Sequence, residues 1–265
     1  MDFYQLAQIK NESERVNKTY DIFNENIRLS RSKAARVEFL TTVSYIERYL
    51  KNGAKILDIG AGAGEYSLYF ARKGYEVFSL ELADANISAF RQKLLPDDKI
   101  DLVQGNALDL SRYEDKSFDV VLMLGPLYHL QSENDRIKCI SQAKRVLKDD
   151  GKIFFAFISN DFVFLTEFMY DKDYFSTGDY DKQSFKLNDF PFVFHTVESA
   201  RDLLLKADVK IIHEIASDGA SELIAERINE LSDADYEQYL KYHFYICEKP
   251  ELLGMTNHLL FVGEF

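Results

Sequence analysis

The chain has 265 residues, 46% hydrophobic and 29% charged, a globular mixture that excludes disorder and supports a sizeable core. Lysine and arginine total 32 against 44 aspartates and glutamates, and the resulting net charge of −12 disfavours nucleic acid as a general partner. Two distant cysteines, Cys139 and Cys247, make neither a disulfide framework nor a metal clip. No metal is expected. The first ten residues lack a signal-peptide apolar core, and the longest uncharged stretch, Val120 to Ser132, is too short to span a bilayer. A soluble cytoplasmic protein with no membrane partner is the expectation.

Residues 1–50 read as an N-terminal helical cap, with basic residues from Lys10 through Arg36. These form either a solvated face or an anion-binding patch. Within the cap, Val37, Leu40, Val43 and Ile46 recur at helical spacing, so a helix is expected from Ala34 to Leu50, ended by Gly53. A core is expected over 51–265. Strands are predicted at Lys55–Ile59, Glu76–Leu80, Ile100–Val103, Asp119–Leu124 and Lys152–Ile158. Between them, helices are predicted at about Glu65–Lys73, Ala85–Leu94 and Ser132–Lys148. Gly74 is placed for a left-handed cap and Ser132 with Asp135 for a capping box. Regular alternation of this kind predicts right-handed βαβ units and a parallel sheet with helices on both faces.

Beyond Ile158 the alternation breaks. Asn160–Tyr170 reads as helical, and Asp171–Phe194 as aromatic and polar without clear period. A lid or substrate insertion is expected at about 160–195. A helix capped by Thr196 and a sixth strand, Val209–Ile215, follow. An acidic helical insertion at about 219–247 precedes a seventh strand, Asn257–Phe265.

The strand-to-helix junction carries Asp58-Ile59-Gly60-Ala61-Gly62-Ala63-Gly64. Glycines there permit a tight turn and close approach of a ligand to backbone, and the following helix offers unpaired N–H groups. Glu81, at the end of the next strand, is suited to accept hydrogen bonds from ribose hydroxyls. The spacing is G-x-G-x-G, and Glu65 stands where the dinucleotide fingerprint has its third glycine. A nicotinamide dehydrogenase is therefore disfavoured, and a nucleoside cofactor without phosphate fits better.

Taken with Gly105-Asn106-Ala107, Ser117-Phe118-Asp119-Val120-Val121, Leu124-Gly125-Pro126-Leu127-Tyr128-His129-Leu130 and Arg145-Val146-Leu147-Lys148-Asp149-Asp150-Gly151, the glycine segment resembles the motif series of class I S-adenosylmethionine-dependent methyltransferases. The resemblance spans about residues 50–160. Asn106 departs from the usual aspartate, and Asp149-Asp150 from the usual Pro-Gly.

The resemblance implies an α/β, doubly wound, Rossmann-like seven-stranded sheet whose last strand is antiparallel and inserted beside the fifth. It also implies S-adenosyl-L-methionine as cofactor, held by Asp58, Gly60, Ala61, Gly62, Gly64, Glu81, Leu82, Asn106, Ala107, Leu124 and Gly125. Asp58 has two readings: organiser of the glycine loop, or contact to the methionine end of the cofactor. The expected reaction is methyl transfer to a small-molecule acceptor. An RNA or protein methyltransferase and a non-catalytic nucleoside-binding module stand as alternatives.

His129, at the carboxyl edge of the sheet, is a candidate general base or a loop scaffold. Tyr128 and His195 are candidate substrate contacts. Tyr20 and Arg28 are candidates to fold over the site, Arg28 toward the cofactor carboxylate. The acceptor and the oligomeric state are left open.

Overall fold

The computed structural model describes residues 3–22 and 25–265. Three helices, α1 (Phe3–Ala7), α2 (Glu12–Tyr20) and α3 (Lys33–Glu47), lead into β1 (Lys55–Ile59), α4 (Glu65–Arg72), β2 (Glu76–Glu81), α5 (Asp84–Lys93), β3 (Ile100–Gln104), β4 (Phe118–Met123), α6 (Glu133–Val146) and β5 (Leu147–Ser159). The insertion contributes α7 (Asn160–Tyr170), α8 (Tyr174–Thr177) and the two-residue β6 (Phe194–His195). Then come α9 (Val197–Lys206), β7 (Lys210–Ala216), α10 (Ala225–Glu230), α11 (Asp233–Ile246) and β8 (His258–Glu264).

Strand order along the sheet is β3-β2-β1-β4-β5-β8-β7, with β6 pairing off β5. β1 to β5 run parallel, and β8 inserts antiparallel between β5 and β7. The expected seven-strand path is present, and β6 makes an eighth strand. From β3 the order steps inward to β1 and then reverses to β4. The carboxyl ends of β1 and β4 thus flank the switch point where open α/β sheets bind ligands.

Alternating side chains of the central strands feed two cores. Leu57, Val121, Met123 and Phe155 pack with Ile140 and Ala143 of α6 and Leu203 of α9. Ile56, Val120, Leu122 and Phe154 pack with Phe39, Val43 and Ile46 of α3 and Phe70 of α4. Both faces of β1 and β4 are therefore covered, which is why these strands read as continuous apolar runs. Truncating Phe154 to alanine costs about 3–5 kcal/mol by the usual cavity penalty.

Local signals set several boundaries. Ser32 and Thr196 accept from Ala35 N and Ser199 N as N-caps of α3 and α9, and Gly74 takes φ +95° after α4. Ser132 makes no side-chain cap bond, so the expected capping box is absent. β5 starts at Leu147 rather than Lys152, and α10 at Ala225 rather than 219. The insertion is not structureless: Phe164, Tyr180 and Leu187 form their own small core. Asn160 ties it down, donating to Phe185 O at 3.0 Å and accepting from Leu187 N at 2.9 Å. Among the described residues, no helix is long and apolar enough to cross a membrane.

Candidate functional site

Gly60 follows β1 with φ +73°, and its N–H donates to Leu80 O at 2.7 Å, as Ala61 N does at 3.1 Å. The loop is thereby pinned to the end of β2. A Cβ on Gly60 would stand 2.9 Å from the Pro126 ring, so glycine is required by both conformation and space. Gly64, with φ +83°, has another role: a Cβ there would lie 2.4 Å from the Phe90 ring of α5. It provides the close packing that the dinucleotide fingerprint assigns to its third glycine. Glu65 pairs with Lys93 at 2.5 Å, so its charge at the helix mouth is offset, which weakens the charge argument against a pyrophosphate.

Glu81 closes β2 with its carboxylate folded back on the loop. It accepts from Gly62 N at 2.7 Å, from Ala83 N at 2.8 Å and from Asn86 Nδ2 at 3.3 Å. Burial pushes its pKa up, and the N–H donors oppose that push. Asp58 accepts from Ser67 Oγ at 2.6 Å, and Ser67 is bonded to Ser79 Oγ at 2.8 Å. Burial first, then the nearby Glu81 charge, raise Asp58 to about 7 against the Ser67 bond. These contacts fasten β1, α4 and β2 together, the organiser role.

Gly60, Glu81, Leu82, Asn106, Ala107 and Gly125 line a cleft of about 60 Å³. Its other wall is α2, through Glu12, Ser13, Val16 and Tyr20. Four hydrogen bonds hold that helix down. Asn106 Nδ2 donates to Ser13 Oγ at 3.1 Å, Gln131 N to Glu12 Oε2 at 3.3 Å and Asp84 N to Asn17 Oδ1 at 2.8 Å; Tyr20 Oη meets His129 Nε2 at 2.8 Å. The Asn106 oxygen accepts from Leu108 N at 2.9 Å. Asp58 in β1, and Ala61, Gly62, Gly64 and Leu124 in the surrounding loops, do not line the cleft itself.

His129 is buried, with Tyr128 and Phe192 rings at 5.0 and 5.2 Å. Burial, aided by the Arg15 charge, pushes its pKa down to about 3. The imidazole is neutral and weakly basic in this arrangement. Tyr128 carries the insertion on its backbone, its carbonyl accepting from Val193 N at 2.8 Å.

His195 stands apart. It packs on Phe157 at 5.0 Å, bonds Ser199 Oγ at 3.3 Å, leaves Nε2 buried without a hydrogen-bond partner, and lines neither this cleft nor the larger cavity described next. Arg28 forks onto Glu38 at 2.6 and 3.2 Å, rather than reaching the cleft.

Two features escaped sequence reasoning. One is the apolar-and-polar face of α2, whose Asn11 cap and Val16 were the available signal. The other is a cavity of about 480 Å³ beside α3, where Asp218 and His258 meet. No local motif marks that pair, because 40 residues and a strand reversal separate its members.

A family model described as a methyltransferase domain matches residues 57–155. A demethylmenaquinone methyltransferase of Clavibacter sepedonicus is 27% identical over 147 residues, covering 56% of either chain. A ubiquinone biosynthesis O-methyltransferase of Hahella chejuensis is 27% identical over 155 residues, 58% of this chain and 62% of its own. The chain spans about half the length of the curated relatives it matches. A solved S-adenosylmethionine-dependent methyltransferase from Archaeoglobus fulgidus shares the fold with TM-score 0.56 at 16% identity, covering 86% of this chain and 94% of that one. Switch-point cleft, glycine loop and buried carboxylate accompany the match: residues 57–155 are similar to a methyltransferase domain, on a fold shared with solved S-adenosylmethionine-dependent methyltransferases.

Proposed function

We propose that this protein transfers the methyl group of S-adenosylmethionine to a small-molecule acceptor. The observation that carries the reading is Glu81, a buried carboxylate bonded to the glycine-loop N–H of Gly62 at the end of β2 and lining the switch-point cleft. The donor set fits a nucleoside. Glu81 Oε2 accepts from Gly62 N, and a carboxylate oxygen has a second lone pair for a ribose hydroxyl. Asn106, Leu82 and Ala107 border the cleft where an adenine edge would lie. The carboxylates of Glu12 and Glu81 in the cleft wall suit a cofactor that is itself cationic at sulfur.

Small-molecule sites enclose roughly 300–1,000 Å³. The cleft between α2 and the sheet is far smaller, so α2 lifts as the nucleoside enters and then covers it. Once bound, the cofactor supplies an activated methyl. The chain's own task is to hold the acceptor in line and keep water out. α2, Phe192 and the insertion supply the exclusion. His129 serves this cover: neutral and joined to Tyr20, it latches α2 to the loop after β4. The net charge of −12 favours a small acceptor over RNA, and a cytoplasmic setting accompanies it.

The test is incubation of the full chain with isotope-labelled S-adenosylmethionine and a metabolite extract. Label should enter the low-molecular-weight fraction, with release of S-adenosylhomocysteine, and the Glu81→Ala variant should not support it. Label confined to RNA or protein would refute the acceptor class. Cofactor binding without any transfer would reduce the protein to a nucleoside-binding module.

A further inference from the structure

The cavity of about 480 Å³ lies at the same edge of the sheet as the nucleoside cleft. β7 ends there at Ala216, β8 begins there at His258 beside Ile158 of β5, and α3 begins there at Lys33. Both cavities thus lie at the carboxyl edge of the parallel strands. The volume falls in the range of small-molecule sites. Its walls are mixed: Ile27, Ala34 and Ala225 offer apolar surface, and Arg31, Tyr170 and His258 offer polar groups.

His258 is rigidly set. Its Nδ1 lies 3.0 Å from Asp218 Oδ2, and its backbone N–H donates to Asp218 Oδ1 at 3.1 Å. Thr256 Oγ also bonds Asp218, which is buried. Glu38 stands 3.4 Å from the same Nδ1 and is held by the Arg28 fork. The ring lines the cavity, and its Nε2 has no hydrogen-bond partner among the described residues. Ligand atoms of Glu38, Asp218 and His258 lie within 4.8 Å of one another. Arg28 offsets one of the two carboxylates, and the imidazole offsets the other once it holds a proton. A carboxylate fixing Nδ1 of an imidazole that lines a cavity is the arrangement of an oriented general base.

We propose that this cavity is the acceptor site and that His258, oriented by Asp218, takes the proton from a phenolic or enolic hydroxyl of the acceptor. The inference rests on the methyl-transfer reading above. The hydroxyl proton passes to His258 Nε2. The acceptor oxygen bonds the methyl carbon while the carbon–sulfur bond breaks and its electron pair stays on sulfur. The proton then leaves His258 for solvent.

With the ring placed by Asp218 on the cavity wall, its electrostatics support an acidic hydroxyl as the proton source. Glu38 and Asp218, against burial and the Arg28 charge, hold His258 up at about 8. A base of that strength matches a phenol, whose pKa is about 10 in tyrosine, far better than an aliphatic alcohol. Glu222 on the same wall is engaged by Asn257 Nδ2 at 2.6 Å and the Tyr170 hydroxyl at 3.0 Å.

The experiment uses 4-nitrophenol as acceptor probe and its methyl ether, 4-nitroanisole, as control, with the full chain saturated by S-adenosylhomocysteine. In wild type, 4-nitrophenol should move the histidine ring resonance of His258 and leave that of His195 in place. In His258→Gln, 4-nitrophenol affinity should fall at least about tenfold, as for loss of a hydrogen bond to a charged group. Affinity for 4-nitroanisole and for S-adenosylhomocysteine should be unchanged. An unmoved His258 resonance in wild type would overturn the proposal without any variant. Equal 4-nitrophenol affinity in the folded variant would overturn it as well. Failure of wild type to bind S-adenosylhomocysteine would instead sink the methyl-transfer reading, and the two failures are thereby distinguished.

Discussion

The nucleoside cleft and the cavity beside α3 are built in opposite ways. The cleft is assembled from short runs following successive parallel strands, so its core-side residues fall within Gly60–Leu130, and α2 closes it to about 60 Å³. The second cavity gathers residues from before α3, the end of α7, the exit of β7 and the start of β8, and encloses about 480 Å³. A cofactor common to many enzymes is held by local loop geometry, whereas the variable partner is met by distant segments brought together by the antiparallel β7–β8 reversal. The two histidines follow the same division. Burial pushes His129 down to about 3, whereas carboxylates hold His258 up at about 8. Only the second is suited to proton transfer near neutral pH.

The largest expected effect separates these histidines. His258→Asn should lower turnover by about 10²–10⁴-fold with cofactor affinity intact, the usual contribution of a general base. His129→Asn should loosen α2 and change both only modestly. Steady-state kinetics alongside cofactor titration checks this, and the reverse pattern would exchange their roles. In wild type the acid limb of the rate profile should rise through about pH 8 as His258 loses its proton.

Next in size is stability. His129, His195 and His243 all have folded pKa values pushed down by burial, to about 3, 4 and 4. Their stabilising contribution is full above the unfolded value of about 6.5 and is lost as pH falls toward those folded values. Loss between pH 6.5 and 4 amounts to about 3 kcal/mol for each such group. His258 has the opposite sign: its raised pKa contributes about 2 kcal/mol below pH 6.5, lost as pH rises through about 8. Denaturant midpoints across pH 4–9 should show both flanks. His129→Gln should reduce the acid flank by about a third and leave the alkaline one.

The smallest effect concerns the cover. Tyr20→Phe removes the hydroxyl bonded to His129, worth about 1 kcal/mol. Cofactor association, followed by stopped flow, should quicken a few-fold because α2 opens more often. An unchanged rate would mean that α2 is not the barrier.

Much of the core was legible because it rests on periodicity and on residues whose chemistry is local. The apolar runs of β1 and β4, the Gly74 cap and the Gly60 turn each have one physical solution. The place of Glu81 at the end of β2 was legible because the strand's apolar run stops there. What escaped depends on tertiary convergence. Asn106 offers an oxygen to its own Leu108 N–H, and Arg28 finds Glu38 on α3 before any cofactor. His195 was drawn to the site by its place near the lid, but β6 turns it onto Phe157 instead. The aromatics between 160 and 195 pack largely on one another, and Phe192 packs against His129. His258 had no neighbours in sequence to betray it.

Titration calorimetry of the full chain with S-adenosylmethionine, S-adenosylhomocysteine and NAD, repeated on Glu81→Ala, tests the central claim most directly. Both adenosyl ligands should bind wild type and NAD should not. Glu81→Ala should lose about 1.5–3 kcal/mol of binding free energy for each, as expected for hydrogen bonds to a buried carboxylate. NAD binding in place of the adenosyl ligands, or equal affinity in Glu81→Ala, would contradict the assignment of this cleft.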